Sequence, residues 1–157
     1  MRARNVLWWM VFFYAGICVQ SVLPGLDVLV LGLLLALQER RPLQLAWLLP
    51  VLVLVQEGSG ALDFGTSVLW YLAVVALFFI GHRLFEVENL LFMFLLSACL
   101  GVAHIGIIRL MATLQDAPVD ATALLDEGIL QALFIPIGWH LVSITRRILV
   151  LSHENPS

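Results

Sequence analysis

The residues able to do chemistry are few and widely spaced. Arg109 stands inside a long apolar run, Leu90 to Leu114, and Asp126 and Glu127 open the next run at a similar height. A charge in lipid is costly unless it is paired or reaches the headgroups. The spacing therefore predicts an Arg109–Glu127 or Arg109–Asp126 contact, with Arg109 snorkelling to the outer headgroups as the alternative. His104 and His140 are the imidazoles within apolar runs. At 1.5 Å per residue His140 lies about 20 Å below Glu127, whereas His104 sits in the outer part of its run. Two rings at different levels predict hydrogen-bonded packing rather than a metal site. No Ser lies in a GxSxG motif, and no Lys exists to pair with one. Every Asp falls at the outer edge of a run, where an intramembrane aspartyl pair is not built. No Gly-rich phosphate loop precedes a Lys. Cys18 and Cys99 lie in apolar runs without CxxC spacing. The expectation is a non-enzyme with no cofactor and no metal.

Packing signals are clearer. Ser97 and Gly101 form a small-xxx-small pair, with Gly106 further along the same run. Small residues let helix backbones approach where lipid supplies no hydrophobic drive. Pro50 and Pro136 are expected to bend or break their helices. Of the five Trp, Trp70 and Trp139 look deep enough to pack inside, and Trp8, Trp9 and Trp47 suit an interface. The polar turn Gln56-Glu57-Gly58-Ser59-Gly60, followed by Asp63 and Gly65, joins two strongly apolar runs. It reads as a short outer hairpin, or as an outer contact point for a partner.

The elements that must position these residues follow from composition. The chain has 157 residues, 62% of them hydrophobic and 12% charged, and its mean hydropathy is +1.02. A soluble domain carries about 25% charged residues, so there is too little polar surface here for a water-facing globule. A net charge of −3 with no Lys gives no basic patch for nucleic acid. Six apolar runs are visible: Asn5–Leu23, Leu26–Leu37, Leu43–Val55, Phe64–Gly81, Leu90–Leu114 and about Gly128–Val150. A crossing helix needs about 20 residues. Runs two and three, at 12 and 13 residues, are short: tilted helices or a re-entrant pair. Arg2 and Arg4 ahead of run one give it signal-peptide features, and it is expected to be an uncleaved first span. Short cytoplasmic loops collect Arg. With both termini inside, the inner segments hold seven Arg against four Glu, and the outer segments hold Arg109 against seven acids. The expectation is a single polytopic domain over 1–157, all-α, with six transmembrane helices (two of them short) and both termini cytoplasmic. The segment from Gln115 to Glu127 is expected to face water.

Several stretches resemble the rod shape-determining MreD proteins of bacteria. An Arg-containing start leads into Trp8-Trp9-Met10-Val11-Phe12-Phe13, with Gln20 and Pro24 at the end of that run. A Leu-rich second run meets a basic turn at Arg40-Arg41. The third run ends where the family tends to show Asp, then small-Gly, then another Gly. Here Gln56 takes the Asp position, Ser59-Gly60 match and Gly65 follows, with Glu57 as the neighbouring acid. Gly128-Ile129-Leu130, Pro136 and Arg146-Arg147 are similar to the family's end. The resemblance implies a fold like the substrate-binding subunit of energy-coupling-factor vitamin transporters. It implies a scaffold role in cell elongation at the bacterial inner membrane. The implied partners are the single-span periplasmic protein MreC, the actin-like MreB and wall-synthesis proteins. The alternatives are a transporter's own substrate-binding subunit, with Gln56, Glu57, Arg109 and the outer acids lining a pocket, or an accessory subunit of a larger membrane complex.

Overall fold

A computed structural model describes residues 3–23, 25–58, 65–84 and 90–150. Among these residues the chain is all-helical: α1 (Ala3–Val22), α2 (Val30–Gln38), α3 (Pro42–Glu57), α4 (Thr66–His82), α5 (Leu90–Leu114) and α6 (Ala121–Leu149). α1, α5 and α6 are long and apolar enough to cross a membrane; α3 and α4 are shorter apolar helices. Large apolar side chains cover the outside, among them Leu7, Met10 and Tyr14 on α1, Val102 on α5 and Leu133 and Ile137 on α6. Such a surface suits lipid and not water. The architecture is that of a helical membrane protein.

α2 is the centre of the bundle. Its nine residues are about 13 Å long, and every residue from Val30 to Leu37 is buried. A helix that is apolar all round has no face to give to solvent and ends up enclosed. α3, α4 and α6 pack around it. The sequence pattern places the start of this helix at Leu26; it begins at Val30 instead. The cause is Asp27, whose Oδ1 accepts from the amides of Leu29 at 3.0 Å and Val30 at 3.3 Å. A short carboxylate that takes the first free amides stops a helix from extending backwards.

α5 and α6 form the tightest pair. A Cβ on Gly101 would stand 2.8 Å from the Gly128 carbonyl oxygen and 2.9 Å from the Ala132 Cβ. Gly101 therefore does let the two backbones meet. Ser97 is buried, and its hydroxyl donates to Phe94 O of its own helix at 2.8 Å. Gly106 corrects the small-residue reading: it is exposed and has no neighbour within 4 Å. α6 also starts earlier than its apolar run. Asp120 caps it by accepting from the Thr122 amide, so the part of the acidic segment from Ala121 to Glu127 is helical. Neither proline breaks its helix, since α3 runs through Pro50 and α6 through Pro136.

A second set of polar contacts closes the end of the bundle where α2 meets α3. Arg146 of α6 is wholly buried. Its guanidinium makes a two-armed ion pair with Glu39 and lies 4.8 and 5.2 Å from the ring centres of Trp8 and Trp9. With its amide oxygen turned toward the guanidinium, Gln44 accepts from Arg146 and Asn5 at 3.2 Å each and donates to Glu39 at 3.3 Å. Trp139 Nε1 donates to Gln38 at 3.0 Å. Arg146 is thus an internal lock and not an interfacial charge like its neighbour Arg147, and Trp8 and Trp9 are core residues.

Candidate functional site

At the opposite end, where α1 gives way to α2, α3 to α4 and α5 to α6, polar side chains converge on Asp27. The residue is buried. Its Oδ2 accepts from Trp70 Nε1 at 2.7 Å, and its Oδ1 accepts from Gln20 Nε2 at 3.2 Å as well as from the two α2 amides. Gln20 Nε2 also donates to Gln56 Oε1 at 3.2 Å. Gln131, fully buried on α6, clamps the backbone of Asp27: its Oε1 accepts from Asp27 N at 2.8 Å and its Nε2 donates to Asp27 O at 3.0 Å. This side-chain amide replaces the partners that a helix would have supplied, so non-helical backbone can lie inside an apolar bundle. Tyr71 is buried within reach of the same carboxylate's charge.

Beside this cluster lies a cavity of about 510 Å³, lined by Asp27, Gln56, Glu57, Ser67, Trp70, His104, Asp120 and Glu127 among others. Ligand sites commonly fall between about 300 and 1,000 Å³. His104 is 9% exposed and meets the Trp70 ring edge-on, centres 5.0 Å apart. Glu57 Oε1 accepts from the amides of Gly65 at 3.1 Å and Ser67 at 2.9 Å, which caps α4. Gly65 holds a left-handed φ of +116°, a conformation that costs glycine nothing. Asp120 sits at the mouth; the hydroxyl and amide of Thr122 hold its carboxyl below the usual carboxylate range. Glu127 lies across Gly25, whose φ is +91° and whose Cβ, if present, would fall 2.5 to 2.7 Å from the Glu127 side chain. Four carboxylates face the space, and among the described residues no Arg lines it.

The sequence reading found part of this. Gln56, Glu57 and Gly65 do gather here, while Ser59, Gly60 and Asp63 lie outside the described residues. The expected Arg109 contact is not formed: Arg109 and Asp126 are exposed, and no ion pair links Arg109 to Asp126 or Glu127 among the described residues. The reason is helical phase. α5 meets α6 along Gly101 and Ile105, and Arg109 is turned by about 80° from Gly101 at 3.6 residues per turn. Arg109 also stays out of the cavity, contrary to the pocket the transporter reading drew. Asp27, Gln131, Trp70, His104 and the Arg146–Glu39 pair were not singled out as site residues. For Asp27, Gln131 and His104 the available signal is isolation, since a lone polar residue inside an apolar run is a functional candidate by default; Glu39 and Arg146 stand beside Arg40 and Arg147 and carry no such signal. Among the described residues no three His, Cys, Asp or Glu stand close enough to hold a metal ion. Comparison with protein-family models, curated proteins and solved structures gives no match for this chain.

Proposed function

We propose that this chain is a non-enzymatic scaffold subunit of the bacterial cell-elongation machinery, an MreD-like protein of the inner membrane that holds a single-span periplasmic partner. Its termini are cytoplasmic and it crosses six times, in an arrangement like the substrate-binding subunit of energy-coupling-factor transporters. α2 alone is too short for the hydrocarbon core of about 30 Å. The five residues ahead of it add to this height, with the Asp27 backbone satisfied by Gln131 and the Leu29 amide by the Asp27 carboxylate.

One observation carries the reading beyond the sequence resemblance. α1 packs on α2 and α3 through Trp9, Phe12 and Gly16, and an apolar groove of about 450 Å³ runs between α1 and α6, walled by Leu7, Trp8, Val11, Phe12, Ala15 and Val142 with Arg4 at one end. The Arg146 stack holds Trp8 in place. A stiff apolar groove on a lipid-facing surface suits a partner's membrane span, because helices in lipid associate by close packing. The test is recovery of the tagged protein from its native membrane in mild detergent, followed by mass spectrometry. The expected companions are a single-span periplasmic protein and wall-synthesis enzymes. Recovery of paired ATPases with a coupling membrane protein would overturn the proposal.

The cavity favours a second reading, a small-molecule-binding membrane subunit. Its polar floor of Asp27, Trp70 and Gln56 supplies the deep cluster that such a protein needs.

A further inference from the structure

We infer that the cavity beside Asp27 binds an alkylammonium group, carried either by a free small amine or by a lysine side chain of a partner. The free-amine form names the ligand class for the small-molecule reading and the lysine form names a partner contact; both rest on the cavity being a binding site. The four lining carboxylates exclude an anion on electrostatic grounds. Three of them are already engaged. Asp27 takes four N–H donors, Glu57 caps α4 and Asp120 caps α6. Glu127 is different. It is half-buried over Gly25 and has neither an ion pair nor a hydrogen bond among the described residues. His104 is the second open group. Its ring is more than nine-tenths buried, lines the cavity, touches only Trp70 as a ring partner, and has no hydrogen bond at its nitrogens among the described residues.

A polar ring that lines a cavity without a protein partner leaves its bonding to a ligand or water there. An ammonium has three donors and one positive charge. Glu127 meets the charge, a neutral His104 accepts one N–H, and the Trp70 indole supplies an aromatic surface that attracts cations. A bare metal ion is not favoured, because the described residues form no cluster of three ligating side chains.

The full chain in lipid nanodiscs is titrated with n-butylamine, butanol, butyrate and Nα-acetyl-lysine amide, read by calorimetry and by Trp fluorescence. Butylamine or the lysine derivative is expected to bind at least tenfold more tightly than butanol, and butyrate not at all. The tighter of the two amines identifies the source of the group. Glu127→Gln should weaken amine binding at least tenfold and leave the unfolding temperature of the free protein unchanged, since Glu127 makes no internal bond. Butanol or butyrate binding as well as butylamine, or an indifferent Glu127→Gln, overturns the ammonium assignment and leaves a binding cavity. No binding by any probe overturns both.

Discussion

Asp27 and Gln131 show how two side chains let a bundle tolerate irregular backbone. Gln131 is the only bonded partner that the structure gives to either the N–H or the carbonyl of Asp27 among the described residues. Gln131→Leu keeps the bulk and leaves both groups buried and unpaired, at about 1–3 kcal/mol each. A clear fall in the unfolding temperature in detergent is the expected result; an unchanged value would show that water takes over both bonds. The Arg146–Glu39 pair makes a complementary prediction. Arg146→Met leaves the half-buried Glu39 carboxylate to Arg41, 3.6 Å away, and should cost about 1–3 kcal/mol, whereas Arg146→Met with Glu39→Leu should recover most of it, because apolar pairs often replace buried ion pairs without loss. If the double variant is no better than the single one, the cation–π stack on Trp8 and Trp9 dominates instead. Asp27 stands alone in its apolar run, while Arg146 stands beside Arg147. Their partners are not legible in the sequence, since Gln131 lies 104 residues from Asp27 and Glu39 lies 107 from Arg146. Hydrophobic pattern carries no information on which buried polar groups meet across such distances.

Helices were readable where periodicity was irrelevant and length decided. α3, α4 and α5 fall within a few residues of their apolar runs, because a continuous apolar stretch in lipid has only one way to satisfy its backbone. The two misplaced boundaries have a shared cause. Asp27 delays α2 and Asp120 starts α6 early, and in both cases a capping carboxylate, not hydrophobicity, sets the end. The small-residue pattern was half informative: Gly101 and Gly106 look alike in sequence, and only the phase of α5 against α6 separates them. Gly101→Ala places a methyl 2.8 Å from a carbonyl oxygen and should destabilise by about 1–3 kcal/mol, as overpacking does. Gly106→Ala meets nothing within 4 Å and should be neutral or stabilise by up to about 1 kcal/mol through helix propensity. Unfolding temperatures of the two variants side by side check this; equal losses would mean that Gly106 packs against a second molecule.

For the molecule as a whole the open quantity is topology, and the structure sharpens what decides it. Asp27, Glu57, Asp120 and Glu127 gather at one end of the bundle, and Arg40, near His82 with Nη2···Nε2 at 2.6 Å, stands at the other. Under the positive-inside rule the Arg40 end is expected to be cytoplasmic. Burial of Arg146 removes one charge from that count without changing its sign. The native thiols Cys18 and Cys99 are exposed, so both are first replaced by Ala. Single cysteines then go at Leu84, after α4, at Val119, before α6, and at Leu43, at the start of α3, all exposed in the native chain. Spheroplasts are treated with an impermeant maleimide. Val119→Cys should label directly, and Leu84→Cys and Leu43→Cys only after permeabilisation. Leu84 and Val119 flank α5, whose 25 residues measure about 37 Å, so labelling of both from one side would mean that α5 does not cross. Leu43 tests α2. Labelling from the cytoplasm makes the segment 25–29 plus α2 a full crossing, with Gln131 serving as the backbone partner at depth. Protection of Leu43 from both sides would make α2 and α3 a re-entrant pair that brings Arg40 and Arg41 to membrane depth.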